Sequence, residues 1–202
     1  MYTIVFLANA IGAIYEQMLV PFAYFALANH PEGFVEMVVV DPDQFQATYR
    51  SELEHLRRLY PQFLVRPMQN KPNGKHRPNT YRFLEVPETA ATYTYIMDVD
   101  VMLLEDVVAP YEKLWPSTPH INNVIRKGTR RLSGMHMVRS ELYFTDKLRR
   151  LQQRIYRFPR QTRINDEEVL YLMVHSCHPL PPRSPASELW RRRISRPSCT
   201  PS

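Results

Sequence analysis

Apolar positions along the chain follow two alternating rhythms. Residues 2–8 form an almost wholly apolar run rich in β-branched and aromatic side chains, the pattern of a central parallel strand buried on both faces. Asn9 to Gly12 would form its exit loop. Residues 14–28 then predict a helix, kinked or divided at Pro21, whose ring removes a backbone donor. A second strand is expected over residues 34–40, ending at Asp41 and Pro42. From Phe45, apolar residues recur at Tyr49, Leu53, Leu56 and Tyr60, the spacing of an amphipathic helix. Residues 63–65 read as a third strand. Residues 70–79 hold Pro72, Gly74 and Pro78 and read as a mobile loop, followed by a short helix over 81–86 ended by Pro87.

In the second half, residues 93–97 form a β-rich apolar run that arrives at Asp98 and Asp100, and a further apolar run follows at 101–104. A helix is expected near 106–114, with strands at 120–125 and 135–138. Ser140 is placed to cap a helix whose apolar face is Phe144, Leu148, Leu151 and Ile155. Asn165 followed three residues later by Glu168 is a capping box, opening a helix over 167–174. Strands alternating with helices predict an α/β fold with a central, mostly parallel sheet flanked by helices.

Composition sharpens this picture at the end of the chain. Beyond Pro179, prolines and then arginines crowd together, so one domain is expected over 1–180 and an irregular Pro/Arg-rich tail over 181–202. From Arg183 onward five arginines face one glutamate, so +4 of the net charge of +6 belongs to the tail. The basic balance therefore describes the tail more than a groove, and no nucleic-acid partner is expected. Cys177 and Cys199 are too few for a disulfide framework and read as free thiols in a reducing compartment, which points to the cytoplasm. The apolar start has no basic region and is interrupted by Asn9, Glu16 and Gln17, so it reads as strand and helix rather than as a targeting segment. No apolar run reaches the roughly 18 residues of a transmembrane candidate.

Chemistry concentrates where strands are expected to end. Ligands of α/β sheets sit beyond the carboxyl ends of strands, and Asn9, Asp41, Asp98 and Asp100 all fall at such ends. In extended chain, Asp98 and Asp100 project from one side with Val99 between them. Two carboxylates at the mouth of a buried strand are costly to desolvate unless a cation joins them. Mg²⁺ or Mn²⁺ suits such a pair, because these hard ions take oxygen ligands and share them with substrate phosphates. Arg82 could lie near metal or phosphates, which a guanidinium fork fits, or be a surface charge. Ala8 and Asn9 are candidates for base or ribose contact, or an ordinary turn. Asp41 is a candidate nucleotide contact, or the cap of the helix after Pro42.

A short α/β chain with an Asp-x-Asp at a strand end resembles the nucleotide-sugar-dependent glycosyltransferases of GT-A fold. The likeness spans roughly residues 2–175 and is closest at Tyr81-Arg-Phe-Leu-Glu-Val-Pro-Glu and Tyr95-Ile-Met-Asp-Val-Asp-Val-Met-Leu-Leu-Glu-Asp-Val. That order is similar to the glycogenin-like and bacterial or viral polysaccharide glycosyltransferases. The resemblance implies a GT-A-like sandwich, a nucleotide-sugar donor with uridine diphosphate favoured, and a glycan acceptor. It implies donor contacts at Ala8, Asn9, Asp41, Arg82, Asp98 and Val99. It also implies a metal at Asp98 and Asp100, with His178 as a further candidate ligand. Residues 132–138 look like that group's acceptor strand, which points to Gly134 and His136. Asp166, Glu167 and Glu168 look like its acidic segment near the anomeric carbon, hence candidate catalytic carboxylates. The chain ends before the group's later histidine motif, consistent with a domain cut from a longer, multidomain chain.

Two other readings compete. Asp98-x-Asp100 also resembles the nucleophile motif of haloacid-dehalogenase-type phosphohydrolases, although there the motif ends the first strand. A non-catalytic nucleotide-sugar-binding module is the third reading. A dinucleotide-binding oxidoreductase is excluded, because residues 8–13 hold one glycine where a Gly-x-Gly-x-x-Gly turn needs three. Because the tail lacks apolar periodicity, removing residues 183–202 is expected to leave the domain folded, checked by circular dichroism and size exclusion. Aggregation of the truncated chain would contradict this.

Overall fold

The run at the amino terminus becomes β1 (Tyr2–Asn9), in which Ile4 to Ala8 are almost wholly shielded from solvent on both faces. The structure, a computed structural model, describes residues 2–109, 120–125, 131–157 and 165–177. A run with no polar face must lie between two strands and two layers. β1 does so, flanked by β2 (Gly33–Val39) and β4 (Ala91–Met97), both parallel to it. β3 (Phe63–Pro67) extends the parallel part beyond β2. β5 (His120–Ile125) and β6 (Leu132–Arg139) close the other edge antiparallel, giving the order β3-β2-β1-β4-β6-β5. This is the expected α/β fold with a mostly parallel, mixed sheet.

Alternation along β1 divides the core. Ile4, Phe6 and Ala8 pack with Phe22, Ala26 and Leu27 of a helix and with Phe45, Leu53 and Leu56. Leu7 faces the other layer, with Ile96, Tyr81, Tyr143, Leu148 and Leu170. The first helix, expected to be kinked or divided at Pro21, is divided into α1 (Ala13–Glu16) and α2 (Leu19–Asn29). The break precedes Pro21, which sits in the first turn of α2, where its missing N–H has no partner to lose. The expected helix from Phe45 is also two, α3 (Pro42–Thr48) and α4 (Arg50–Leu59), parted at Tyr49 (φ −109°, ψ 29°). Apolar spacing survives that one-residue deviation, so the sequence shows no gap.

Residues 81–86, expected as a helix, instead belong to a 3-10 helix that starts earlier, Pro78–Leu84. Ser140 opens a four-residue helix, α5 (Ser140–Tyr143), and its hydroxyl meets Thr94 Oγ1 at 2.9 Å instead of capping. The apolar face lies mainly on α6 (Asp146–Arg157), where Thr145 Oγ1 accepts from Leu148 N at 3.3 Å. The Asn165 capping box opens α7 (Asp166–Cys177) as expected: Glu168 N donates to Asn165 Oδ1 at 2.8 Å and Asn165 N donates to Glu168 Oε2 at 3.2 Å. Asp106 Oδ1 accepts from Val108 N and Ala109 N, as a cap would. The rest of the helix expected at 106–114, and the tail, lie outside the described residues.

The crossover from β3 to β4 carries Arg82, and a buried ionic network fixes it. Arg66 on β3 donates from Nε to Glu36 Oε2 at 2.7 Å and from Nη1 to Glu85 Oε2 at 2.9 Å. Its Nη2 donates to Val86 O at 3.0 Å. Glu36 also accepts from the amides of Glu88 and Thr89, and Glu85 from those of Gln69 and Asn70. Burial alone would lower the Arg66 guanidinium, but the two carboxylates outweigh it and hold it above its ordinary value. Removing one partner leaves uncompensated buried charge. Arg66→Met is therefore expected to lower stability by about 3–5 kcal/mol, measured by urea unfolding; a change under about 1 kcal/mol would contradict the network's role.

Candidate functional site

Because β1 to β4 run in one direction, their carboxyl ends meet along one rim. Register places Ala8 opposite Met97, so Asn9 and Asp98 leave the sheet side by side. A cleft of about 360 Å³ opens there, with Asn9, Ile11 and Tyr15 on one wall and Asp98, Val99 and Asp100 on the other. Pro78, Asn79 and Arg82 of the 3-10 helix complete its lining. A larger, shallower groove of about 690 Å³ runs between α2 and α4 past Tyr24, Tyr49 and His55. It holds no paired aspartates, and none of its lining residues has an unpartnered buried polar side-chain atom among the described residues.

The strand stops at Met97, so the two aspartates stand on a turn rather than in the strand, with Val101 N reaching back to Asp98 O at 3.4 Å. The expected alternation still holds. Val99 is 5% exposed and packs in the core, whereas Asp98 and Asp100 face solvent. That inward valine is what aims both carboxylates outward.

Behind the turn lies Arg82, 8% exposed. Its Nη1 pairs with Asp98 Oδ1, and its Nη2 donates to Asp166 Oδ2 at 2.9 Å. Its guanidinium lies over the Phe83 ring, 4.7 Å from the centroid, and Gln152 Nε2 secures that segment by donating to Phe83 O at 2.9 Å. Burial pulls the Arg82 guanidinium below its ordinary value, while Asp166 and Asp100 draw it back up. Among the described residues, two buried groups on the cleft's lining are unpartnered, Arg82 Nε and Asn9 Nδ2. Unsatisfied buried donors are costly, and both flank the space a ligand would fill.

The acidic segment divides its labour. Glu168 is taken up by the capping box and by Arg131 Nη2 at 3.4 Å, so Asp166, beside it, is the carboxylate joined to the cleft through Arg82. Glu167 is half-buried in the same turn. Three expectations come out differently. Asp41 accepts from Gln44 N at 3.0 Å as the N-cap of α3 and does not line the cleft; a residue before Pro42 satisfied both readings, and the local one won. His136 is fully buried, its Nε2 2.9 Å from Tyr143 Oη and its ring edge-on to Phe83, so it faces the interior and not the cleft. Ala8 is likewise buried in the strand, one residue inside the cleft. Gly134 lies on β6, and His178 falls outside the described residues.

Tyr15 is the residue that sequence reasoning passed over. It is 49% exposed on the cleft wall, an aromatic face able to stack on a base. Its signal was an aromatic side chain three residues past Gly12, whose φ of 89° turns the chain back over the strand ends.

Among the described residues, no three His, Cys, Asp or Glu side chains gather as a metal cage. Two exposed carboxylates on one turn do fit a divalent ion that takes its remaining ligands from phosphates and water.

No family model matches the chain, and no curated protein matches it in sequence. Solved structures do. It is similar to the glycosyltransferase GlyE of Streptococcus pneumoniae TIGR4, with 9% identity and a TM-score of 0.59 over 88% of this chain and 45% of GlyE. The mannosyltransferase PcManGT of Pyrobaculum calidifontis, solved with GDP-Man and Mn²⁺, is 13% identical over 95% of this chain and 60% of its own, with a TM-score of 0.49. The chain shares the α/β fold of GlyE and spans about half the length of that protein. No helix among the described residues is long and apolar enough to cross a membrane.

A lysine cannot bridge two carboxylates with a planar fork. Arg82→Lys is expected to lower stability by about 1–3 kcal/mol, the scale of hydrogen bonds to charged groups, read by denaturant midpoint. An unchanged midpoint would mean that Asp98 and Asp166 do not depend on the bridge.

Proposed function

We propose that the chain is a metal-dependent glycosyltransferase that moves a sugar from a nucleoside diphosphate, a uridine diphosphate sugar by the family resemblance, to a glycan acceptor. The observation that carries this reading is Arg82, buried beneath the cleft and joining the Asp98 turn to Asp166, which lies 84 residues after Arg82 in sequence. One cationic group thereby ties the place for a diphosphate to the place for a reacting carbon.

In this reading Tyr15 stacks on the base, and Asn9 Nδ2, which has no partner among the described residues, donates to base or ribose. Asp98 and Asp100 would hold Mn²⁺ or Mg²⁺, which when bound neutralises charge gathering on the departing diphosphate. Arg82 fixes the Asp98 carboxylate through Nη1, and its free Nε is left for a donor oxygen. Asp166 is the carboxylate assigned to the anomeric centre. It stabilises positive charge there, or takes the acceptor hydroxyl proton as a general base. Gly134 and His136 remain acceptor-side proposals only through the backbone of β6, since the imidazole is buried. The phosphohydrolase alternative would use Asp98 as a nucleophile. Its nucleophile ends the first strand, whereas Asp98 follows the fourth strand of the chain.

Thermal shift with uridine diphosphate sugars tests this directly, since a ligand of the folded state raises the melting temperature. The shift is expected with Mn²⁺ and lost in excess chelator or in Asp100→Asn. Tyr15→Ala is expected to weaken binding by about 1–3 kcal/mol, the scale of base stacking. Asp166→Asn is expected to retain binding and to lower turnover about 10²–10⁴-fold. Equal stabilisation with and without metal would remove the role given to Asp98 and Asp100. Binding without any transfer or donor hydrolysis would favour the binding-module reading.

A further inference from the structure

The carboxyl end of α2 holds the chain that follows the aspartate turn. Asn29 Nδ2 donates to Leu103 O at 2.9 Å and to Phe25 O within its own helix at 3.0 Å. His30, just past the last turn, has Nδ1 2.9 Å from Ala26 O and Nε2 2.9 Å from Val107 N. A carbonyl only accepts and an amide only donates. The ring is therefore neutral, with its proton on Nδ1 and its lone pair on Nε2. It is 6% exposed and packs against Phe6, ring centroids 4.9 Å apart. Val99, Leu103 and Val107 are all buried, so the segment from the turn to Val107 is pinned at intervals, and His30 provides the last pin.

We propose that His30 is a positioning residue for the Asp98–Asp100 turn: by accepting the Val107 N–H it holds the segment behind the turn, and protonation of its ring releases that hold. As it concerns cation binding, this rests on the metal role proposed above for the two aspartates.

A protonated ring would aim a second N–H at the Val107 N–H, two donors face to face. Asp106 offers the alternative. Its Oδ1 lies 3.5 Å from Nε2 while accepting from Val108 N and Ala109 N. Gaining the new Nε2–H would draw that carboxylate toward the ring and displace Val107. No other charge competes closely among the described residues. β1 presents the Phe6 ring, Glu32 is bound by Thr3 Oγ1 at 3.2 Å, and Glu105 is exposed.

Burial holds His30 below its ordinary value of 6.5, with Ala26 O and Asp106 partly offsetting it. The folded protein thus takes up this proton less readily than the unfolded chain. The hold is complete above 6.5 and is lost as pH falls from there through the folded value.

The test measures amide hydrogen-exchange protection at Val101 and Val107, and the affinity for Mn²⁺ alone, from about pH 7.5 to about pH 5. It compares the full chain with His30→Gln, which keeps one donor and one acceptor but does not titrate. Both proteins carry the same aspartates, so pH effects common to them cancel. The wild type is expected to lose protection at both amides and to bind Mn²⁺ more weakly on acidification, with a slope of at most about tenfold per pH unit for one proton. His30→Gln is expected to bind as the wild type does at neutral pH and to lack the acid-dependent loss. Loss confined to Val107, with Val101 and Mn²⁺ affinity unmoved, overturns the proposal, as does the same pH profile in His30→Gln. If that variant does not fold, the wild-type ring ¹⁵N shifts decide: titration of His30 must coincide with the exchange change at Val101. A wild type that binds no Mn²⁺ at neutral pH strikes the metal role instead, while the exchange result still decides whether His30 holds the turn.

Discussion

Everything that reaches the cleft from the crossover depends on Arg66. Its guanidinium is buried between Glu36 in the middle of β2 and Glu85 just past the 3-10 helix, and those carboxylates in turn take four backbone amides. Segments before and after the 3-10 helix are thereby bound to β2 and β3, and Pro78–Leu84 is delivered with Arg82 facing the strand ends. A buried ion pair is weak evidence for stability, since desolvation offsets much of its Coulombic gain. Its value here lies in place: few other arrangements of residues 67–89 satisfy so many polar groups at once.

The two buried arginines show how structure and function separate. Arg66 makes four hydrogen bonds, to two carboxylates and two carbonyls, and leaves no side-chain nitrogen without a partner. Arg82 makes two, keeps Nε unpartnered, and is joined to carboxylates that reach a cleft. A closed network fixes a fold, whereas an open one beside a ligand-sized space is poised for a ligand. The same distinction separates Glu168, taken up in its capping box, from Asp166 beside it.

Much of this was legible in the sequence wherever a local pattern carried it. β1 and β4 read directly as apolar runs, the capping box as Asn165 and Glu168, and the paired aspartates as a strand-end feature. The helix break at Tyr49 was not legible, because a one-residue deviation leaves apolar spacing intact, whereas Pro21 marked the division of the first helix, which falls just ahead of it. Asp41 was ambiguous for a physical reason: helix capping and ligand contact ask for the same residue at the same place. His136 was misplaced because its partner, Tyr143, belongs to a helix that folds back over β6. The Arg82–Asp166 bridge spans 84 positions, and the Arg66–Glu36 pair 30. Such contacts exist only once the sheet has assembled, so no local pattern announces them.

In the proposed function, the Asp98–Asp100 turn would hold a divalent cation against a nucleotide diphosphate, above Arg82. Crystals grown with Mn²⁺ and uridine diphosphate, measured for anomalous scattering at the manganese edge, test it most directly. A single strong peak at the Asp98–Asp100 turn, with the base over Tyr15, is expected. A peak elsewhere, or nucleotide bound in the cleft with no manganese at the turn, would contradict it.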